Sequence, residues 1–237
     1  MKGKPQHGSR LVALEPAGGN QWRGVLESDP PLEEGRWDTC LVGAAEEDRT
    51  ALLPGLRDLR ALVSGGEAEH SAPLAVRVPY VTKDGRLAVR AWYRAVHAEA
   101  GRIVVEDDVI SVTARLLGAQ FGDGAAVSLR RRGPGAVARR IPLRPGAKGD
   151  FVFTMNCREF TADSAGPGPG TEVAVWDVYV HPDADAPRVR VARLLDDLAD
   201  RKPVFVYPTA VGDGVTARPY YTVDNDLSVE VASASGP

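Results

Sequence analysis

The chain has 237 residues, 29 basic and 32 acidic, for a formal net charge of −3. That length holds one large or two ordinary domains, and 43% hydrophobic with 26% charged residues describes a folded globular chain, not a disordered one. The balance of charge gives no global electrostatic case for nucleic acid or for a membrane surface.

Residues 1–8 lack the apolar core of a secretion signal, and no later stretch is apolar for long enough to span a bilayer, so a cytoplasmic location is expected. The bias toward Ala, Arg, Gly and Val, with little Lys, Met or Ile, is that of a high-GC bacterial genome.

The first ordered feature along the chain is the pair Trp37-Asp38. Leu56, Leu59, Leu62 and Val63 then share a helical face, and Ser64-Gly65-Gly66 closes it, which predicts a short helix over Pro54–Val63. Gly65–Pro73 reads as a long internal loop. Leu74–Val78 and Leu87–Trp92 alternate as strands do, and Lys83-Asp84-Gly85-Arg86 between them is a hairpin turn in which Gly85 takes a positive φ. Ala95–Arg102 reads as a boundary between domains.

Beyond it, period-2 alternation predicts strands over Ile103–Val105, Val109–Leu116, Ala126–Arg130, Ala136–Leu143, Asp150–Met155, Val173–Val180 and Val189–Leu194. Gly133-Pro134-Gly135 turns the third of these into the fourth. Thr161–Thr171 is a Gly/Pro-rich surface loop. A turn or two of helix is expected near Leu194–Leu198. Tyr220–Thr222 and Leu227–Val231 form a last hairpin around Asp224-Asn225-Asp226, where Asn and Asp tolerate the left-handed region that Gly85 supplies earlier.

The chain repeats itself. Trp37-Asp38, Asp58-Leu59 and the hairpin from Pro79 to Val89 return as Trp176-Asp177, Asp197-Leu198 and the hairpin from Pro219 to Val229, at an offset of 139 or 140 residues. Several blocks in one order at one spacing argue for two copies of one domain. The expectation is an all-β chain of two tandem immunoglobulin-like β-sandwiches, with one or two short helices, arising by internal duplication. The first repeat is set at 8–95, as a shortened copy with less chain ahead of its Trp-Asp pair, and the second at 102–233. Cys40 and Cys157 fall at different places in the two copies, so they read as two reduced thiols and not as a repeated bridge.

Trp176-Asp-Val-Tyr-Val180, Arg193-Leu-Leu-Asp-Asp197, Lys202-Pro-Val-Phe-Val-Tyr-Pro208 and the ending Pro219-Tyr-Tyr-Thr-Val-Asp-Asn-Asp-Leu-Ser-Val229 resemble the β-sandwich accessory regions that follow the catalytic domain in actinobacterial family-2 glycosyltransferases. They are similar in kind to the tandem immunoglobulin-like C-terminal domains of wall teichoic acid glycosyltransferases. The resemblance covers most of 74–233 and, through the repeat, part of 20–73. It implies support of assembly or polymer engagement. The chain has no room for a nucleotide-sugar-binding catalytic domain. Asp183-Ala184-Asp185 and Asp224-Asn225-Asp226 spell the metal-chelating Asp-x-Asp motif, but they fall in a loop and a turn.

Candidate chemistry has competing readings at each position. Trp37 and Trp176 are sugar-stacking platforms or core residues, and the core reading is favoured. Asp58 and Asp197 are carboxylates for chemistry or, more simply, caps and salt bridges. Asp84, Asp224 and Asp226 are too few for a closed calcium site. Arg130, Arg131, Arg132, Arg139 and Arg140, with Arg144 beyond them, are the sharpest charge feature: hairpin strands bring the two clusters together, and guanidinium forks suit phosphate or carboxylate. Tyr80, Trp92, Tyr207 and Tyr220 are candidates to line a cleft between the repeats. His7, His70, His97 and His181 show no metal-ligand spacing, and no metal or cofactor is expected.

Two functional readings follow. The favoured one is a non-catalytic module that serves a glycosyltransferase-type system by binding an anionic glycan or phosphate polymer, or a glycosyltransferase partner, or by self-association through exposed strand edges. The alternative is a small biosynthetic-pathway enzyme with an active site at the junction of the repeats.

Overall fold

A computed structural model describes residues 8–43, 48–64, 72–133, 137–161 and 173–234. The loops expected at 65–73 and 161–171 and the hairpin tip at 134–136 fall largely or wholly outside the described residues, as do His7 and His70. The fold is all-β. It divides into two units, Met1–Leu59 with Ala75–Arg94, and Arg60–Leu74 with Ala95–Pro237.

The first unit carries β1 (Glu15–Gly18), β2 (Gln21–Arg23), β3 (Gly35–Asp38), β4 (Cys40–Val42), β5 (Arg49–Ala51), β6 (Leu74–Val81) and β7 (Leu87–Arg94). Its main sheet runs β3-β7-β6, beside the two-stranded pairs β1-β2 and β4-β5. Val76, Val78, Ala88, Ala91 and Trp92 are its buried side chains on β6 and β7.

The helix expected over Pro54–Val63 shrinks to a single turn, α1 (Ala61–Ser64). Leu53 and Leu56 stay exposed. One turn costs nucleation entropy that only a buried apolar face offsets, and the exposed leucines find none.

The second unit is a β-sandwich. Its strands are β8 (His97–Glu106), β9 (Val109–Leu117), β10 (Ala126–Arg131), β11 (Ala138–Ile141), β12 (Leu143–Pro145), β13 (Asp150–Asn156), β14 (Val173–His181), β15 (Val189–Ala192), β16 (Ala210–Gly212), β17 (Val215–Tyr221) and β18 (Leu227–Ser233). One layer runs β12-β13-β9-β8. The other runs β14-β18-β17-β16, with β10 and β11 continuing it on the far side of β14. β15 joins the layers: it lies parallel to β8 at Val191 and Ala98, and antiparallel to β14 at Arg190 and Tyr179.

Alternation fills the space between the layers. Ile110, Val112, Phe151, Phe153 and Met155 from one layer meet Val127, Leu129, Trp176, Val178, Val180, Val229 and Val231 from the other. Phe160, on a 3-10 turn, packs edge-on against Trp176 with ring centres 5.6 Å apart. Trp176 is thus a core residue with no solvent exposure.

Residues 97–102, read from the sequence as part of a boundary, belong to β8. The pairing register with β9 shifts between Ala100 and Ile103, a bulge that breaks the alternation on which a strand is recognised. Gly101 sits where the backbones crowd: a Cβ there would stand 2.9 Å from Thr113 Oγ1 and 3.1 Å from its carbonyl oxygen.

The duplication is visible in the registers. In the first unit Trp37 pairs with Val89 and Asp38 with Ala88. In the second Trp176 pairs with Val229 and Asp177 with Ser228. The order β3-β7-β6 returns as β14-β18-β17. No described strand of the first unit corresponds to the β8-β9-β13 layer.

After β15 the chain runs irregularly, without the turn of helix expected near Leu194–Leu198. Side chains hold it instead. Glu99 accepts from the backbone amides of Leu194 and Leu195 at 2.9 and 3.0 Å, and its carboxylate lies 2.8 Å from His97 Nε2. Asp196 bridges Arg193 and Arg201, each at 2.6 Å, and also accepts from the Leu198 amide. Arg201 is fully buried. The Arg193 guanidinium lies 4.5 Å from the ring centre of Phe205.

Candidate functional site: the arginine face of the second unit

β14 separates two chemistries by alternation. Trp176, Val178 and Val180 are buried in the core, so Asp177, Tyr179 and His181 face outward. β10 pairs with it and does the same. Val127 and Leu129 enter the core, while Ser128 stands opposite Tyr179 and Arg130 opposite Asp177. β11 adds Arg140 opposite Ser128. β15 adds Arg190 opposite Tyr179.

The arginine hairpin therefore splits. Arg130, Arg132 and Arg140 lie on the outer face. Arg131 stands opposite Trp176 and Arg139 opposite Leu129, on the side of the sheet that faces the core, both half-buried. Arg144, on β12, belongs to the other layer.

Asp177 organises part of the face. Its Oδ1 accepts from Arg190 at 2.7 Å, from Arg132 at 2.7 Å and from the Ser228 hydroxyl at 3.0 Å. Burial works to raise this carboxyl, but the hydrogen bonds and charges of Arg190 and Arg132 outweigh it and hold it at about 2. Asp226 lies 3.4 Å from Arg190 Nε. Asp38, its repeat equivalent, is exposed and bound to Arg36 of its own strand at 2.7 Å. The same Trp-Asp pair thus meets different partners in the two copies.

The Tyr179 ring carries two cations, with the Arg188 and Arg190 guanidinium carbons 5.1 and 4.9 Å from its centre. His181 Nε2 lies 2.9 Å from Ser128 Oγ. Burial lowers the His181 pKa, and Arg140, Arg188 and Arg130 lower it further by charge. Arg140 is anchored by the Gly124 carbonyl at 2.9 Å.

The aromatic candidates lie in different settings. Tyr220 is half-buried opposite Ser228, with the Lys202 ammonium 5.7 Å from its ring centre. Tyr80 is its repeat equivalent on β6. Tyr207 stacks on Phe205 and tilts against Tyr221, packing against the core. Trp92 is buried in the first unit, where it lines a cavity of about 30 Å³ with Leu32, Val76 and Arg77; that is room for roughly one water.

Ser128, Tyr179, His181, Arg188 and Arg190 were not among the sequence candidates. A signal for two of them, Tyr179 and His181, exists: every second residue of Asp177–His181 is polar in an otherwise apolar strand. Asp196 and not Asp197 is the buried carboxylate of its pair. Among the described residues no cluster of three or more His, Cys, Asp or Glu could hold a metal. No described helix is long and apolar enough to cross a membrane.

No family model matches the chain, and no curated protein matches it. Solved structures are similar to it in part. A crystal structure of S. aureus TarS aligns with 67% of the chain at 13% identity and a TM-score of 0.44. A second, of S. aureus TarS 217–571, aligns with 59% at 15% identity and a TM-score of 0.42. The chain spans 28% and 39% of the lengths of those two proteins.

Proposed function

We propose that this protein is a non-catalytic module that binds an anionic glycan or phosphate polymer in a glycosyltransferase-type system, through the outer face of β11-β10-β14-β15. The observation that carries the reading is the assembly of Arg130, Arg132, Arg140, Arg188 and Arg190 on one sheet face around Tyr179, with Asp177 and Asp226 as the acidic counterweights. Excess guanidinium on a flat, pre-built surface suits a repeating anion, which gains by engaging several forks at once. The resemblance of Trp176–Val229 to the accessory domains of wall teichoic acid glycosyltransferases supports the same class of ligand. The reading includes a cytoplasmic location.

The test is titration of the whole chain with poly(ribitol phosphate), beside a neutral polysaccharide of similar length. Saturable binding to the first alone, weakened by salt and lost in the combined Arg130→Ala, Arg132→Ala and Arg140→Ala variant, is the expected result. Each charge-assisted hydrogen bond lost is worth about 1.5–3 kcal/mol. A wild-type chain that ignores every anionic polymer would overturn the reading.

A further inference from the structure

The five arginines of this face are not equivalent. Arg132 and Arg190 are already neutralised, since both are bound to Asp177, and Arg190 also meets Asp226. Arg130, Arg140 and Arg188 make no ion pair with a described residue. They gather about a second centre. Ser128 has Arg140 as its cross-strand neighbour on one side and Tyr179 on the other, Arg130 two residues along its own strand, and His181 on its hydroxyl at 2.9 Å. Arg188 reaches the same place across the Tyr179 ring.

Resting on the reading of this face as a polyanion surface, we infer that Arg130, Arg140 and Arg188, with Ser128 and His181, are the seat of one phosphodiester group, and that Arg132 and Arg190 are scaffold.

Arg130 stands opposite Asp177, but Oδ1 of that carboxylate is bound to Arg132 and Arg190. Three guanidinium groups that are not ion-paired among the described residues repel one another, and an anion between them removes that repulsion. The Gly124 carbonyl and the Tyr179 ring hold two of the three in place before any ligand arrives, so little side-chain entropy is lost on binding. Ser128 is itself buried and holds the ring of His181 by its hydroxyl, so the half-buried imidazole is the neutral hydrogen-bonding group that a phosphate oxygen can engage. A carboxylate has two oxygens in one plane. A phosphodiester carries its single charge on two non-bridging oxygens set tetrahedrally with two ester oxygens, so its acceptors point out of one plane, which matches guanidinium forks that come from two adjacent strands and a loop.

His181 reports on occupancy. The groups around it are Ser128 and Arg130 of β10, Arg140 of β11, Tyr179 of its own strand and Arg188. Acidic Asp123, Asp183 and Asp185 lie in the adjoining turns, where Asp183 Oδ1 is bound to the Asp185 and Ala186 amides at 2.8 and 2.7 Å. Burial, and then the charges of Arg140, Arg188 and Arg130, hold the imidazole below its ordinary pKa. A phosphate among the arginines opposes their part of that effect.

The experiment uses the whole chain and an oligomer of glycerol phosphate, read by calorimetry and by the His181 ring resonances across pH. Arg140→Ala and Arg188→Ala should each weaken binding about tenfold or more, one lost charge-assisted hydrogen bond apiece. Arg188→Lys should restore only part of it, keeping charge without the fork. Arg132→Ala should change affinity less than about threefold, and saturation should raise the His181 pKa. Binding that survives loss of Arg130, Arg140 and Arg188 together but fails in Arg132→Ala overturns the seat and leaves the polyanion reading intact. Absence of binding by the wild-type chain overturns both.

Discussion

Gly85 and Asn225 are the same residue of the same turn. Each has a positive φ, 71° and 63°, and each donates its amide to the threonine three residues earlier, Thr82 at 3.0 Å and Thr222 at 2.9 Å. The threonine hydroxyls accept from Arg86 and Asp226 at matching distances of 3.1 and 3.2 Å. The two hairpins thus share turn geometry with different residues at the left-handed position. Asn225→Gly should leave stability nearly unchanged. Asn225→Val and Gly85→Val should each cost about 1–2 kcal/mol from the backbone alone, measured by urea unfolding.

Asp177 makes the second unit sensitive to acid. Its carboxyl is held at about 2 against burial by Arg190 and Arg132. A folded pKa below the ordinary carboxylate value means stability that is complete above pH ~4 and is lost as the pH falls toward ~2. The contribution is about 2 kcal/mol. Asp177→Asn should lower stability by that order at neutral pH and flatten the pH dependence in this window. Denaturation midpoints between pH 2 and pH 6 would check both.

The Asp196 network predicts an asymmetry. Removing Asp196 leaves the fully buried Arg201 without its carboxylate, which should cost about 3–5 kcal/mol. Arg201→Met keeps Asp196 paired to Arg193 at 2.6 Å and fills the space with apolar atoms. It should cost distinctly less. A chain in which the two variants are equally unstable would contradict this order.

Trp176 should behave as packing and not as a sugar platform. Trp176→Ala should cost about 3–5 kcal/mol. Trp176→Phe, if folded at low temperature, should bind an anionic polymer as the wild type does. Quenching by acrylamide should leave Trp176 emission protected while Trp22, 62% exposed, is quenched.

The two thiols should separate kinetically. Cys40 is exposed and Cys157 is 1% exposed, with its thiol pushed up by burial and by Asp108 and Asp213. A thiol reagent should modify one cysteine rapidly in the native protein and the second only on unfolding. Rapid loss of both would mean that the Cys157 site opens easily.

Much of the fold was legible because its signals are local. Alternation marked Val109–Leu116, Asp150–Met155 and Val173–Val180, and turn chemistry marked both hairpins. β8 was half-hidden because the bulge at Gly101 breaks its period. The helix expected at 54–63 does not form beyond one turn because its stripe is only partly covered: Leu59 and Leu62 are half-buried while Leu56 is fully exposed.

By itself, the sequence determined that the chain is a duplicated β-protein, that Trp176 lies on a core strand, and that an arginine-rich hairpin exists. Each of these depends on residues a few positions apart or on direct repetition. Only the tertiary structure decided which arginines act together. Strand register puts Arg130 and Arg140 outside and turns Arg131 and Arg139 toward the core side. The β14–β15 pairing brings Arg188 and Arg190 onto Tyr179. Asp177 then binds two of these cations and leaves three without an ion pair among the described residues. A period of two assigns side chains to faces, but the partner strand across the sheet determines which charges meet there.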